Sequence, residues 1–437
     1  MPDSTNCSRQ GLPIPIVRLP PQLQALRLWR DPLGALRGWS DRHGDLFWLD
    51  LPAVGPVVVV GDPTPAHEVL RSDPDTSGTG AATGRVLPLL GPGCVLRLDD
   101  EAHRDRRRLL KPSFRLPNPA ATREIVGEAA RRTFARWRVG HGAPSLAHFK
   151  GLTFSVIATV VLGDGDPSAI TRLHRLVRRA TGLPALAGTW MWPLRPGRLH
   201  ELALASMRRR QALLDEALAQ IVLDRQRERG AHDDVLQLML DAGLGNRAVR
   251  ELHEELAALL IVGHETTAAA LAWAVERLVH EPAVLAQLEA SLDQGDSTYL
   301  DAFMYEVLRW RPPVVDTVRQ LKVPSEVAGH PLHAGTLVMI SPYLVHRRLY
   351  ESSETFRPDR FVGRTSPESR GWIPFGGGSR RCLGAELAVT EMSVVLTELL
   401  RGFKLQPSSM PGERARLTGT VIVPAQGGMV TLSRVRS

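Results

Sequence analysis

The run FGGGSRRCLGAELAVTEMSVVLTELL, residues 375–400, constrains this chain more than any other stretch. Gly376, Gly377 and Gly378 precede Cys382, and Gly384 follows it. Beyond them Ala388, Met392, Val395, Leu396 and Leu399 recur at helical spacing, which puts the cysteine at the start of an amphipathic helix. A helix N-terminus presents unpaired backbone N–H groups and the positive end of a dipole, and both stabilise an anionic sulfur. Glycines let the backbone approach a flat group closely. A buried cysteine in a glycine turn is the ordinary alternative, but a plain core has no use for four glycines around two arginines.

The rest of the chain predicts a mainly helical fold with small peripheral β-sheets. From 120 to 280 apolar residues recur at helical spacing, as in Leu252, Leu256, Leu259, Leu260 and Gly263, and Pro282 limits the long helix that contains them. GDLFWLDLPAVGPVVVVGDP reads as two strands, and further strands are expected around VAGHPLHAGTLVMISP and LTGTVIVPAQGGMVTLSR. Residues 1–25, rich in proline and polar side chains, read as a loosely ordered arm. Residues 26–437 show no repeat or linker and read as a single domain, although 437 residues would permit more.

Composition removes several classes. The net charge of +8 is spread along the chain with no basic tail or dense block, which argues against nucleic-acid binding. Only four of the 54 basic residues are lysines, and arginine suits bidentate pairing with carboxylates. Three cysteines, Cys7, Cys94 and Cys382, do not make a disulfide framework and suit a reducing compartment. Neither a leader nor an uninterrupted apolar run of spanning length stands out, so the expectation is a cytoplasmic protein with no transmembrane segment. No second cysteine or histidine stands at zinc-ligand spacing around Cys382.

Three further motifs carry chemistry. Glu306 and Arg309 in YEVLRWRPP lie at i and i+3 of a helix, and Arg360 follows in FRPDRF. A solvated salt bridge is the commoner cause of such a pair. In ALLIVGHETTAAALAW an acid, Glu265, precedes two alcohols, Thr266 and Thr267, a pairing able to move protons. Its ordinary counterpart is a threonine bonding back to the helix carbonyls. In DDEAHRDRRRLLKPSF, His103 and Arg107 share a helical face, while Arg104, Arg106 and Arg108 are expected to face solvent.

Phe375, Gly378, Arg380, Cys382 and Gly384 resemble the cysteine loop of the cytochrome P450 superfamily at all five positions, and the three motifs stand in that family's order from about residue 40 onward. The resemblance implies the P450 fold, haem b as cofactor and Cys382 as its iron ligand. It implies a triad of Glu306, Arg309 and Arg360 locking the core, and propionate contacts from His103, Arg107, Arg319 and Arg380. It further implies that Glu265 and Thr266 deliver protons to dioxygen, with Arg104 or Arg108 available for docking a redox partner. His346 stands where the family often has a structural histidine, and His264 is expected to pack or hydrogen-bond beside Glu265. One departure is Val262, where the family usually has Ala or Gly. Its methyls are expected to narrow the pocket above the haem.

By the same resemblance the substrate pocket contains Val262, Gly263, Val314, Val315, Asp316 and Thr420, and the loop around LPALAGTWMWPL, where Trp190, Met191 and Trp192 form an apolar lip. Small and aliphatic linings point to a hydrophobic small-molecule substrate. Asp316 is the odd member, able to receive a polar or cationic group or to bond backbone. The expected reaction is insertion of one atom of O2 into that substrate, with electrons from ferredoxin and ferredoxin reductase, since no redox region is fused to the chain. A peroxide-driven peroxygenase or isomerase, and a non-catalytic haem sensor, are the competing readings.

Overall fold

The computed structural model describes residues 13–435 apart from 53, 88, 116–117, 164–165, 182–197, 228–231, 248, 364–366 and 368–370. Cys7, Trp190, Met191 and Trp192 lie outside the described residues.

The architecture is mainly helical, with small separate sheets at the periphery. Its axis is the helix Val249–His280, 32 residues long, with buried side chains on every side from Leu252 to Val279. Apolar character all round is what a fully enclosed helix requires. It lies along a second apolar helix, Ser145–Leu162, in which Phe149, Leu152, Phe154, Val156 and Val161 are buried. These two helices are long and apolar enough to span a membrane, an amendment to the expectation that no such segment exists. Their composition follows from mutual packing: 78% of the apolar window of the first and 56% of that of the second is buried inside the protein.

Glu281 ends the central helix, and Pro282 starts the next helix, Pro282–Asp293, at a position where the missing N–H is harmless. The largest sheet has five strands, in the order Leu46–Leu51, Gly55–Val60, Leu337–Ile340, Thr317–Leu321 and Ser77–Gly78. Leu46 pairs with Val60 and Leu51 with Gly55 in an antiparallel hairpin, and Gly55–Val60 runs parallel to Leu337–Ile340. Val57 to Val60 are all buried, as suits a strand covered on both faces.

From residue 13 onward the proline-rich segment before residue 26 is tied to the fold. The Val17 N–H donates to the Trp48 carbonyl, the Trp48 N–H donates to Pro15, and Pro21–Arg30 is helical with Pro21 in its first turn. The prolines that discourage a regular strand still suit an edge bridge and a helix N-terminus.

Candidate active site

The cysteine loop joins the three-residue 3-10 turn Gly378–Arg380 to the helix Ala385–Gly402. Its glycines serve the loop's own packing. Gly376 and Gly378 have φ of 70° and 65°, and a Cβ at Gly378 would sit 2.1 Å from the Leu70 carbonyl oxygen on the helix Pro63–Arg71. Only glycine takes both that conformation and that contact. The loop closes through the Cys382 N–H, which donates to Phe375 O at 3.0 Å. Cys382 precedes the helix by three residues, so the sulfur receives the Gly384 N–H at the helix cap.

Two properties of that sulfur stand in tension. Cys382 is exposed by surface area, yet it lies deep enough that burial raises its thiol pKa. A residue both deep and accessible faces an internal space, so the depth governs its chemistry. The Gly384 N–H and the charges of Arg381 and Arg107 oppose the rise. The resulting thiol has the donors for an anion but stays protonated until a cation coordinates it, which removes the proton outright. Cys94 is simply buried, with a pKa pushed up to about 11, and is inert.

Arg107 joins this loop to a second cluster. It donates to Arg381 O at 2.5 Å, and its charge, with that of Arg380, acts on His103. His103 is buried, and desolvation followed by those arginines holds its pKa at about 4, so at neutral pH it is uncharged. Arg319, buried, and Arg380 complete the group, each with a pKa lowered first by burial. Asp99 pairs with Arg380 and accepts from Thr79 N and Gly80 N, while the neighbouring Asp100, exposed and paired with Lys322, acts on Arg380 more weakly. Arg107, Arg319 and Arg380 against Asp99, with Asp100 engaged by Lys322, leave positive charge in excess, and such a set suits an anionic group bearing two carboxylates. The sequence marked the arginines and missed Asp99, although it directly precedes the helix Asp100–Phe114 that carries His103 and Arg107.

On the central helix, Thr266 donates its hydroxyl to Val262 O at 3.1 Å, the back-bonded arrangement weighed as the ordinary one. Glu265 does not stand free at a solvated face. It accepts from Lys150 Nζ at 3.0 Å, across from helix Ser145–Leu162, with side chains only 16% and 20% exposed. Lys150, one of four lysines in an arginine-rich chain, was legible as unusual and was not picked out. His264 bonds Leu260 O through Nδ1 and lies edge-on to Phe154 and His174.

At Gly263 a Cβ would lie 2.6 Å from Ile157 Cγ1, so this glycine is the point of close approach between the two long helices. Val262 beside it is only partly buried. Val262→Ala is expected to broaden the set of apolar molecules that bind. A titration panel checks this, and identical affinities across the panel would remove Val262 from the site.

Glu306 is fully buried and accepts from Arg309 Nε at 2.7 Å and Nη2 at 2.9 Å, from Arg360 Nε at 3.2 Å and from Arg357 N at 2.7 Å. This is a closed network and not a solvated bridge. Arg309 and Arg360 extend it to the carbonyls of Glu351, Ser352, Ser353 and Thr355. His346 ties the same region to the stretch before the cysteine loop. Its Nε2 accepts from Ile373 N at 2.9 Å, which assigns the proton to Nδ1 for donation to Arg309 O at 3.2 Å.

Arg106 corrects the expectation of a solvent-facing side chain. It is buried, donating to Glu255 Oε2 and Glu251 Oε2 at 2.8 Å and to Gly93 O. Glu255 in turn accepts the Val95 N–H, and Glu254 the Gly93 N–H. A carboxylate beside Leu252, Leu256 and Leu259 on an apolar stripe was the signal for this pair. Arg104 and Arg108 are exposed as expected.

Val315, Asp316 and Thr420 come together around one cavity, with Leu36, Leu51, Met339 and Leu417. Val314 is half-buried and is not among its walls. Burial alone pushes the Asp316 carboxyl from 3.8 up to about 6. Because the folded state holds this proton more tightly than the unfolded chain, its contribution to stability is present below the unfolded pKa and is lost as pH rises through about 6. Asp316→Asn is therefore expected to raise the unfolding free energy at pH 7–8, by up to about 3 kcal/mol for a shift of roughly two units, and to leave it nearly unchanged near pH 4. Denaturant melts at both pH values check it; equal gains at both would rule out ionisation as the cause.

Comparison with known proteins agrees with this architecture. The sequence model described as Cytochrome P450 matches residues 9–432. The chain is 35% identical to the protein named cytochrome P450 135B1 of Mycobacterium tuberculosis, covering 98% of this chain and 93% of that one. It is 32% identical to cytochrome P450 138 of the same organism, over 96% and 97%. Among solved structures, CYP175A1 from Thermus thermophilus superposes with a TM-score of 0.76 at 26% identity, covering 96% of this chain and 99% of that one. Cyanobacterial CYP120A1 with retinoic acid bound shares the fold, with a TM-score of 0.82 at 24% identity over 97% and 100%. The chain belongs to the cytochrome P450 family, oxidoreductases that hold haem b through a cysteine thiolate.

Proposed function

We propose that this protein is a haem-thiolate monooxygenase that inserts one atom of O2 into a hydrophobic small molecule, by hydroxylation or epoxidation, with electrons from a separate partner. The observation that carries it is the way Arg107 links the Cys382 loop to the enclosed cation cluster. In this reading Cys382 ligates the haem iron, and His103, Arg107, Arg319 and Arg380 hold its propionates, whose two charges balance the excess of guanidinium. Phe375, Gly378 and Gly384 shape the loop beneath it. A thiolate-ligated haem supplies oxygen activation, because the sulfur pushes electron density toward iron and favours O–O cleavage.

The central helix then supplies protons. The Thr266 hydroxyl, donating to Val262 O, keeps its lone pairs free to hold a water. Glu265, held by Lys150 in a largely buried pair, carries protons inward when it leaves that lysine. Glu306, Arg309 and Arg360 act by fixing the loop's support. Arg104 and Arg108, exposed on the helix whose Arg107 reaches the cysteine loop, form a docking face for an acidic electron donor of ferredoxin type, in a cytoplasmic setting and on one catalytic unit from residue 26 to the end.

Incubation with ferredoxin, ferredoxin reductase, NAD(P)H and isotopically labelled dioxygen tests the reading. The expected product carries one labelled oxygen per turnover. Product formed with peroxide but never with dioxygen and a donor would make the protein a peroxygenase, and haem binding without any turnover would make it a sensor.

A further inference from the structure

The Asp316 carboxylate stands in a place that does not favour it. It follows Pro312, Pro313, Val314 and Val315 and precedes the strand Thr317–Leu321, so the backbone is committed to enter the sheet and the side chain is delivered to the cavity below it. About 30 Å³ of that cavity is open to the centre of a water molecule. A single water needs roughly 10–15 Å³ on this measure, so there is room for a small polar head group. The walls are Leu36 from the helix Pro32–His43, Leu51 and Met339 from two sheet strands, Val315, and Leu417 from the hairpin Ala415–Pro424. Thr420, at the turn of that hairpin, adds the other polar group.

Among the described residues Asp316 makes no hydrogen bond or ion pair, and no charged group lies near enough to influence its ionisation. Glu391, on the helix Ala385–Gly402, is a second deep acid raised by burial alone; Asp316 differs from it in being half-buried and in lining an open cavity. Glu306, Glu255 and Asp234 each meet an arginine at hydrogen-bond distance. A half-buried acid with apolar neighbours is disfavoured when ionised, and an aspartate serving only structure would bond backbone N–H groups, as Asp99 does. A partner that arrives from outside removes the penalty.

We propose that Asp316 is an anchoring site for a protonated amine, so that the substrate of this enzyme is an apolar molecule carrying one basic nitrogen. The ammonium donates to the Asp316 carboxylate, the Thr420 hydroxyl accepts a second N–H or orders a water, and the apolar body extends along the aliphatic walls. Two consequences follow. Affinity depends on pH in the window where Asp316 ionises, and the charge fixes which end of the substrate is held away from reaction. The substrate class rests on the monooxygenase reading above; the binding site does not.

The test compares N,N-dimethyl-4-phenylbutylamine, cationic at pH 7.5, with its uncharged isostere (5-methylhexyl)benzene. Both are titrated into the haem-loaded wild type and into Asp316→Asn by calorimetry, with the visible spectrum separating substrate-like binding from direct ligation of iron by nitrogen. The wild type is expected to prefer the amine by about tenfold or more. In Asp316→Asn that preference disappears while affinity for the isostere stays within about twofold, and in the wild type it fades below pH 5. An amine preference that persists in the variant, no preference in the wild type, or amine binding seen only as iron ligation would each overturn the proposal. Turnover with dioxygen and electron donors is scored separately on the isostere. Turnover without charge preference ends the Asp316 assignment and leaves the monooxygenase reading intact, whereas charge preference without turnover does the reverse.

Discussion

Cys382→Ser is expected to remove the thiolate signature from the ferrous carbon monoxide spectrum of the haem protein and to abolish monooxygenation. The loss should exceed the roughly 10–100-fold that outer-shell changes cost a metal site, because it removes the ligand itself. A serine preserves the loop, since the Cys382 N–H still donates to Phe375 O and the Gly384 N–H still has an oxygen to meet. What it cannot supply is an anion of comparable softness and electron donation. The contrast is Cys94→Ser, a buried thiol whose raised pKa already marks it as inert. An unaltered thiolate spectrum in the Cys382 variant would move the ligand elsewhere and undo the assignment.

Glu306→Ala should lower global stability by about 3–5 kcal/mol, since it strands two buried guanidiniums, those of Arg309 and Arg360, with carbonyl partners but no counter-charge. Glu306→Gln should cost less, because the amide oxygen still accepts a bond that alanine cannot replace. The effect extends to cofactor retention. Arg309 accepts His346 at its own carbonyl, and His346 holds Ile373 just ahead of the cysteine loop, so loosening the network should loosen the haem. Denaturant unfolding and haem-transfer rates measure the two together. An alanine variant as stable as the wild type would mean that the three charged groups contribute nothing net, as exposed bridges commonly do.

Much of this was legible in the sequence because spacing encodes it. Three glycines before a cysteine with an apolar helix behind it admit few arrangements, and the central helix announced itself by the recurrence of leucines through Gly263. Side-chain direction was harder to read. Gly263 and Gly378 each mark where one part of the protein touches another, with Ile157 and Leu70, and spacing alone does not name those partners. Arg106 looked like one solvated arginine among several, because the carboxylate that buries it, Glu255, is 149 positions away. Glu265 and Lys150 are separated in the same manner, by 115 positions. Pairings of this kind depend on which helix lies beside which, and local periodicity carries no such information.

The bonds from Glu254 and Glu255 to the N–H groups of Gly93 and Val95, with Arg106 clamped between Glu251 and Glu255, have a consequence for anyone who grafts parts between relatives. The segment around residues 91–95 is not an independent cassette: it is pinned to one turn of the central helix and one arginine of the helix Asp100–Phe114. A chimera that imports this segment from another family member should carry positions 106, 251, 254 and 255 with it, as a single inherited block. Transplanted without them, the segment would leave a buried guanidinium or a buried carboxylate unmatched at the junction, and the recombinant would fail there before its new specificity could be read.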